Sequence, residues 1–366
     1  MNRREALSLL LGGAASFFVN PRSVFAAENG GNAKTADPDE VRGLYVTNLV
    51  AADRGEAARQ KREMILRMTE ETEINSLVID VVVDTPLFSE RLEKFVAGLK
   101  KRNLHVIARI VVCQNHRLAL KNPDIAIKRR DGSLWYAGKK EWRRHWIDPR
   151  AEKLWQFAAE MSRKAIDFGF DEVQYDYIRF PSDGDMSDIV YPIFKPGSSK
   201  RAAMREMFQF LAREVRSYNP KTKISIDIFG EGVLLGYAEK ADKEVGQHIF
   251  DMADVFDYIS PMVYPSHYRP GFLGLEIPAR HPYDVVYRGL KTAAEYLWFN
   301  DCRAKLRPFL QDFGARNYLT SVYVPYDSSM VRAQIAAAED LEIAGWILWN
   351  AGNVYSRKAL QVKNPR

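Results

Sequence analysis

Cysteine is almost missing from this chain of 366 residues, which carries only Cys113 and Cys302, far apart. Two thiols cannot build a disulfide framework, and each reads as a small buried hydrophobe. Long apolar runs are missing too: past the N-terminus, none reaches the roughly 18 residues of a membrane helix. Neither His-x-His nor His-Glu-x-x-His occurs, so no metal spacing is written into the chain and no cofactor is expected. Charge of one sign is also scarce. Lys and Arg number 53 against 47 Asp and Glu, a net charge of +6 that is scattered without a long basic run. A nucleic-acid partner is therefore not expected, although an anionic polymer stays among the candidate substrates. What is present is a balanced composition, 46% hydrophobic and 27% charged, with mean hydropathy −0.31. It excludes a disordered tail, a collagen and a multispan membrane protein.

Residues 1–26 read as an export signal. Arg3 and Arg4 make a positive start, and Ala6 to Val19 is an apolar stretch too short to span a bilayer. Val24-Phe25-Ala26 then ends on a small residue, as a cleavage site does. The paired arginines followed by Glu5-Ala6-Leu7 fit the twin-arginine route. Residues 27–40 read as a flexible lead-in, and residues 41–366 as one domain. The mature protein is expected in the periplasm or outside the cell, with no stable membrane insertion once the signal is removed.

The rest of the chain repeats a short β-branched run followed by a longer amphipathic stretch. Strands are expected at 43–48, 76–84, 105–112, 172–180, 223–230, 256–264, 306–313 and 345–350. Helices are expected at 56–73, 90–101, 151–168, 201–218, 283–298 and 330–342, the fourth stopped by Asn219-Pro220. Eight such units predict a (β/α)8 TIM barrel. A doubly wound open sheet is the rival, but Thr47-Asn48-Leu49 lacks its Gly-rich first turn. Extra length after strands 3 and 4, at 114–149 and 182–199, falls on the end of the barrel where active sites are built.

Strand side chains alternate between the two faces of a sheet. Ile224, Ile226 and Ile228 make an apolar face for the helices, so Ser225 and Asp227 point inward. By the same parity Gln174 and Asp176 point inward from the neighbouring strand. An inward aspartate is costly unless it is paired or has chemistry to do. Arg109 or Arg179 is a candidate partner, which would make either aspartate a plain ion pair. Glu231, on the Gly230–Gly232 turn, is a second acid candidate. Asp84 and Asp312 reach the rim as weaker candidates, Asp84 to bind substrate, and helix capping is the competing reading for rim aspartates.

His116 and His267 follow strands 3 and 6 and are placed to bond a sugar hydroxyl. Trp135, Tyr136, Trp142, Trp146, Tyr264, Tyr268, Trp346, Trp349 and Tyr355 gather near the same end. Sugar rings stack their CH faces on flat aromatics, while their hydroxyls need polar partners such as Asn48, Gln311 and Asn350. Ordinary core packing is the competing reading for each of these aromatics.

The segment Gly169–Pro181, centred on Gln174-Tyr175-Asp176-Tyr177, resembles the signature of a bacterial putative glycosyl hydrolase domain family. So do Arg42–Thr47, Ile259–Tyr268, Arg307–Phe313 and Gly345–Ala351. The likeness runs from about residue 42 to 356. It implies a (β/α)8 barrel distantly similar to α-amylase and spherulin/galactosaminidase-type glycosidases, whose chemistry lies on a strand-4 aspartate and a strand-5 acid. Those positions correspond to Asp176 and to either Asp227 or Glu231. The α-amylase pattern has arginine where this chain has Gln174.

Glycosidic cleavage needs one carboxyl that keeps a proton and one that acts as nucleophile or base. The sequence assigns Asp176 the second role and Asp227 or Glu231 the first, on an extracellular or cell-envelope polysaccharide. Two other readings stay open. One is a barrel that binds saccharides without cleaving them. The other is a metal-dependent polysaccharide deacetylase built on Asp80, His116 and His267.

Overall fold

The computed structural model describes residues 38–138, 144–234, 245–316 and 322–362. The expected export signal and Trp142 lie outside them, as does the lead-in up to residue 37.

Eight strands run parallel: β1 (Val41–Val46), β2 (Ser76–Val82), β3 (His105–Val111), β4 (Glu172–Asp176), β5 (Lys223–Phe229), β6 (Tyr258–Val263), β7 and β8 (Gly345–Trp349). β7 comes in two pieces, Lys305–Leu306 and Phe309–Gln311. Pro308 between them has no N–H to give the ladder, though its carbonyl still accepts from Ile347 at 2.9 Å. Strand order follows chain order, and β7 joins β6 through Phe309 opposite Met262 and β8 through Phe309 opposite Ile347. The sheet is therefore a closed (β/α)8 barrel, as the alternation predicts.

The outer helices are α1 (Glu56–Glu71), α2 (Glu90–Lys101), α3 (Glu152–Asp167), α4 (Lys200–Tyr218), α5 (Ile249–Ala253), α6 (Pro282–Phe299) and α7 (Ser328–Asp340). Local chemistry sets their ends. Ser89, Ser199 and Asp327 accept from first-turn N–H groups of α2, α4 and α7. Gly169, with φ +88°, turns the chain out of α3, and α4 stops one residue before the Asn219-Pro220 pair.

Two separate apolar clusters follow from strand parity. Ile224, Ile226 and Ile228 face outward into the large core cluster that also holds Leu211 and Val215 of α4. Burying each isoleucine contributes about 1.5–3 kcal/mol, and a one-residue slip would turn that face into the barrel and set Ser225 and Asp227 against the helices. Inside the barrel, Val41, Tyr45, Val78, Ile107, Tyr264, Phe309 and Ile347 form a smaller cluster of their own.

The N-terminal end of the barrel is closed by charge. Arg307, with no exposed surface, donates from Nη1 to both oxygens of Glu172 at 2.9 Å, and its guanidinium lies 3.5 Å from the Tyr258 ring centre. His105 Nε2 meets Glu172 at 2.9 Å from the other side. Burial alone would raise the Glu172 carboxyl, but the charge of Arg307 and the His105 contact overcome it and bring it down to about 2.

At the C-terminal end the two long segments after β3 and β4 knit into one layer. It holds the short helix His116–Lys121 and a ribbon of Tyr136–Ala137 against Arg144–His145. Lys128 bridges to Val190, Arg129 Nε bonds Asp188 at 2.7 Å, and Asp148 accepts from Ile193 and Phe194 at 2.8 Å. Trp135 and Trp146 are 1% and 0% exposed. They form the core of this layer rather than a stacking platform.

Candidate active site

β4 is shorter than its apolar run predicts, because the chain turns at the residue that matters most. Asp176 ends the strand, and Tyr177 sits at φ +49° with its N–H donating to Asp176 Oδ1 at 2.6 Å. Left-handed backbone at a bulky residue costs about 1–3 kcal/mol and concentrates at functional sites. The turn fixes the Asp176 carboxyl at the rim, 5% exposed.

Arg109 of β3 is the hub. Its Nη1 donates to Asp80 Oδ1 at 2.6 Å and its Nε to Asp176 Oδ2 at 3.1 Å, while Nη2 bonds the same Asp176 oxygen. Asp227 Oδ2 lies 3.7 Å from Nε. Four adjacent strands thus deliver one arginine and three aspartates: Asp80 stands opposite Arg109 in the ladder, Asp176 opposite Val111 and Asp227 opposite Ser260. Tyr45 of β1 completes the set, donating to Asp80 Oδ2 at 2.5 Å.

Three carboxylates around one guanidinium leave a surplus of negative charge. It falls on Asp227, which is 2% exposed and whose Oδ1 has no hydrogen-bond partner among the described residues. Burial first, then the Asp176 charge, raise its carboxyl well above the ordinary aspartate range, and Arg109 only partly opposes them. Asp176, by contrast, accepts from the Arg109 guanidinium and from the Tyr177 backbone N–H. Both aspartates touch the same Nε atom, so their oxygens lie closer together than the sum of those two distances.

Beside the acids stands an aromatic wall. Tyr45 stacks on half-buried Trp349 at 5.9 Å, and Tyr264 meets Trp349 at 5.6 Å and His267 at 5.3 Å. Burial first, then the charges of Asp227 and Asp176, push the Tyr264 phenol well up.

The structure therefore brings together Arg109, Asp176, Asp227, Tyr264, His267 and Trp349 from the residues the sequence points to. Others it uses elsewhere. Gln174 lies deeper in the barrel and donates to Ser260 Oγ at 3.1 Å. The Gln311 amide ties Ser266 N–H and Phe313 O at 3.1 and 2.8 Å. Asn350 bonds Asp312 O at 2.5 Å and Gly352 N–H at 2.7 Å. Asn48 opens the short helix Asn48–Ala52, half-buried. Exposed Asp84 accepts from the His116 N–H at 3.0 Å, capping the helix that His116 begins. His116 itself stacks on His145 at 5.0 Å. Glu231 sits in the 3-10 turn Gly230–Val233, and its charge bears on Tyr268. Arg179 stands at the rim, clear of Asp176, its guanidinium 4.4 Å from the Phe229 ring centre.

The deacetylase reading is corrected. Asp80 gives its two oxygens to Tyr45 and Arg109, and His116 and His267 pack on different aromatic partners. No group of three His, Cys, Asp or Glu side chains able to hold an ion occurs among the described residues. Sequence reasoning did not single out Tyr45, and it named Asp80 only as a metal ligand, whereas the structure places both beside Arg109.

A family profile described as "Putative glycosyl hydrolase domain" matches residues 83–355. No curated protein matches the chain. Among solved structures it is similar to a hypothetical protein from Ruminiclostridium thermocellum, with 27% identity over 50% of this chain and 96% of that one, at a TM-score of 0.40. It is also similar to an α-galactosidase from Thermus thermophilus in complex with stachyose (14% identity, 87% of this chain, 63% of that one, TM-score 0.52). A third is α-L-fucosidase isoenzyme 2 from Paenibacillus thiaminolyticus (10% identity, 87% and 48%, TM-score 0.51). The chain spans less than two thirds of the length of the last two, and the likeness to them is one of fold.

Proposed function

The chain belongs to the putative glycosyl hydrolase domain family, and from that premise we propose that it hydrolyses a polysaccharide with Asp227 as proton donor and Asp176 as nucleophile. The observation that carries this reading is the unequal pair: a buried carboxyl with an unpartnered oxygen, pushed well above the ordinary aspartate range, beside one bonded by a guanidinium. An acid must keep its proton until the leaving oxygen needs it, and a nucleophile must have lost its own.

Asp227 protonates the glycosidic oxygen as the bond to the anomeric carbon breaks. Asp176 Oδ attacks that carbon from the other side and forms a glycosyl ester. Water, deprotonated by the Asp227 carboxylate, then releases the sugar and restores both groups. One oxygen of each carboxyl approaches the same Arg109 Nε, at 3.1 and 3.7 Å, which supports the short spacing of retaining enzymes over the wider one of inverting enzymes. The wall of Tyr45, Tyr264 and Trp349 gives the sugar ring an apolar face to stack on.

The proposal extends to place and substrate. Residues 1–26 direct export, by the twin-arginine route, to the periplasm or the cell exterior, and residues 41–366 act there on an extracellular or cell-envelope polysaccharide. The test is a product-release screen of the purified mature chain across α- and β-linked polymers. New reducing ends that vanish in Asp176→Asn are the expected result. Binding without new ends would favour the saccharide-binding barrel and remove the hydrolase reading.

A further inference from the structure

Arg179 is the buried arginine whose charge the fold leaves under-matched. Arg307 has Glu172 at 2.9 Å, and Arg109 has Asp80 at 2.6 Å and Asp176 at 3.1 Å. The one carboxylate within 4 Å of Arg179 among the described residues is Asp183, at 3.9 Å. That partner is 67% exposed, whereas the Arg179 side chain is 6% exposed. A buried cation without a close counter-charge is costly unless something else neutralises it. Its Nη1 is committed to Phe180 O at 3.0 Å and Ser182 Oγ at 3.1 Å. Aromatic rings hold the guanidinium plane: Phe229 at 4.4 Å, Trp146 at 5.1 Å and Tyr177 at 5.4 Å.

The position is as telling as the charge. Phe229 is the last residue of β5 and lies on the same face as Asp227, two residues further along. Phe229 itself stands about 7 Å along the strand from Asp227, toward the mouth of the barrel, and the guanidinium lies over its ring. Tyr177, whose backbone turn fixes Asp176, separates it from the nucleophile, and exposed Arg144 acts on the same tyrosine. With Nη1 committed, the planar guanidinium can still meet a carboxylate with two parallel N–H bonds through its Nε and Nη2 edge.

We infer that Arg179 receives the carboxylate of a uronic acid residue adjacent to the scissile bond, which makes an acidic polysaccharide the substrate class. This inference rests on the hydrolase reading for the words "scissile bond", but the anion site itself does not. Polygalacturonate, alginate and hyaluronan oligomers serve as probes, each beside its carboxyl-reduced counterpart, which differs only in charge at that carbon. Titration of the wild-type protein should show at least one acidic probe binding about tenfold or more tightly than its reduced form. Arg179→Met should bring that ratio close to one. A ratio near one for every pair in the wild type, or a ratio that survives Arg179→Met, overturns the inference. The wild-type comparison alone decides the matter should the variant fold poorly. Reducing-end assays on the same pairs separate the two claims. Preferential binding without cleavage keeps the anion site and refutes the hydrolase, and equal cleavage of acidic and reduced forms does the reverse.

Discussion

At the N-terminal end of the barrel, Arg307 meets one carboxylate, Glu172. At the C-terminal end, Arg109 meets three, Asp80, Asp176 and Asp227. The side chains are of the same kinds, similarly buried and borne on overlapping strands, and the difference is stoichiometry. The matched end lowers its carboxyl to about 2 and closes the barrel. The overloaded end pushes the Asp227 carboxyl well above the ordinary aspartate range. A matched pair supplies structure, and a mismatched one supplies chemistry at some expense in stability.

The largest effect expected from breaking this contrast is on catalysis. Asp176→Asn and Asp227→Asn should each lower kcat by about 10²–10⁴-fold, with far-ultraviolet circular dichroism unchanged. The reverse holds at the other end. Glu172→Gln leaves Arg307 buried without its counter-charge and should cost about 3–5 kcal/mol in denaturant unfolding. The activity of the molecules that remain folded should stay near that of wild type. A variant at the closed end that lost activity but not stability would erase the distinction.

A smaller effect sharpens it. Arg109→Gln removes the charge that opposes protonation of Asp227 and frees Asp176 from its clamp. Activity should fall by about tenfold or more, and the alkaline limb of the pH–rate profile should move to higher pH. The smallest effect is on stability against pH, and the two ends carry opposite signs. Glu172, lowered in the folded state, contributes stability that is present above its usual 4.5 and lost as pH falls toward about 2. Asp227, raised in the folded state, contributes stability that is present below its usual 3.8 and lost as pH rises toward its folded value. Asp227→Asn should therefore stabilise the protein near neutral pH, with the gain vanishing below pH about 4. Thermal melts across pH check both limbs.

The fold was legible because its signals are local and repeated. Eight β-branched runs and six amphipathic stretches mark the barrel, and the isoleucine face of β5 points Asp227 inward without any knowledge of neighbours. The errors fall where tertiary geometry overrides the local signal. β4 overruns in the sequence because nothing in Tyr177-Ile178-Arg179-Phe180 announces a left-handed residue at position 177. β7 reads as one strand because Pro308 interrupts only the ladder. Tyr45 escapes notice, and Asp80 is read only as a metal ligand, because the runs VRGLYV and SLVIDVV lack the strict alternation by which KISIDIF points Asp227 inward. Gln311 and Asn350 read as free rim amides, but backbone groups that only the closed barrel brings near them take up both.

The account turns on the proton of Asp227. Difference infrared spectra between wild type and Asp227→Asn at pH ~6, about two units above the ordinary aspartate value, test it directly. A protonated-carboxyl band present in the wild type and lost in the variant is the predicted result. A difference spectrum holding only ionised-carboxylate bands would mean that Asp227 is charged, and would contradict its role as the acid.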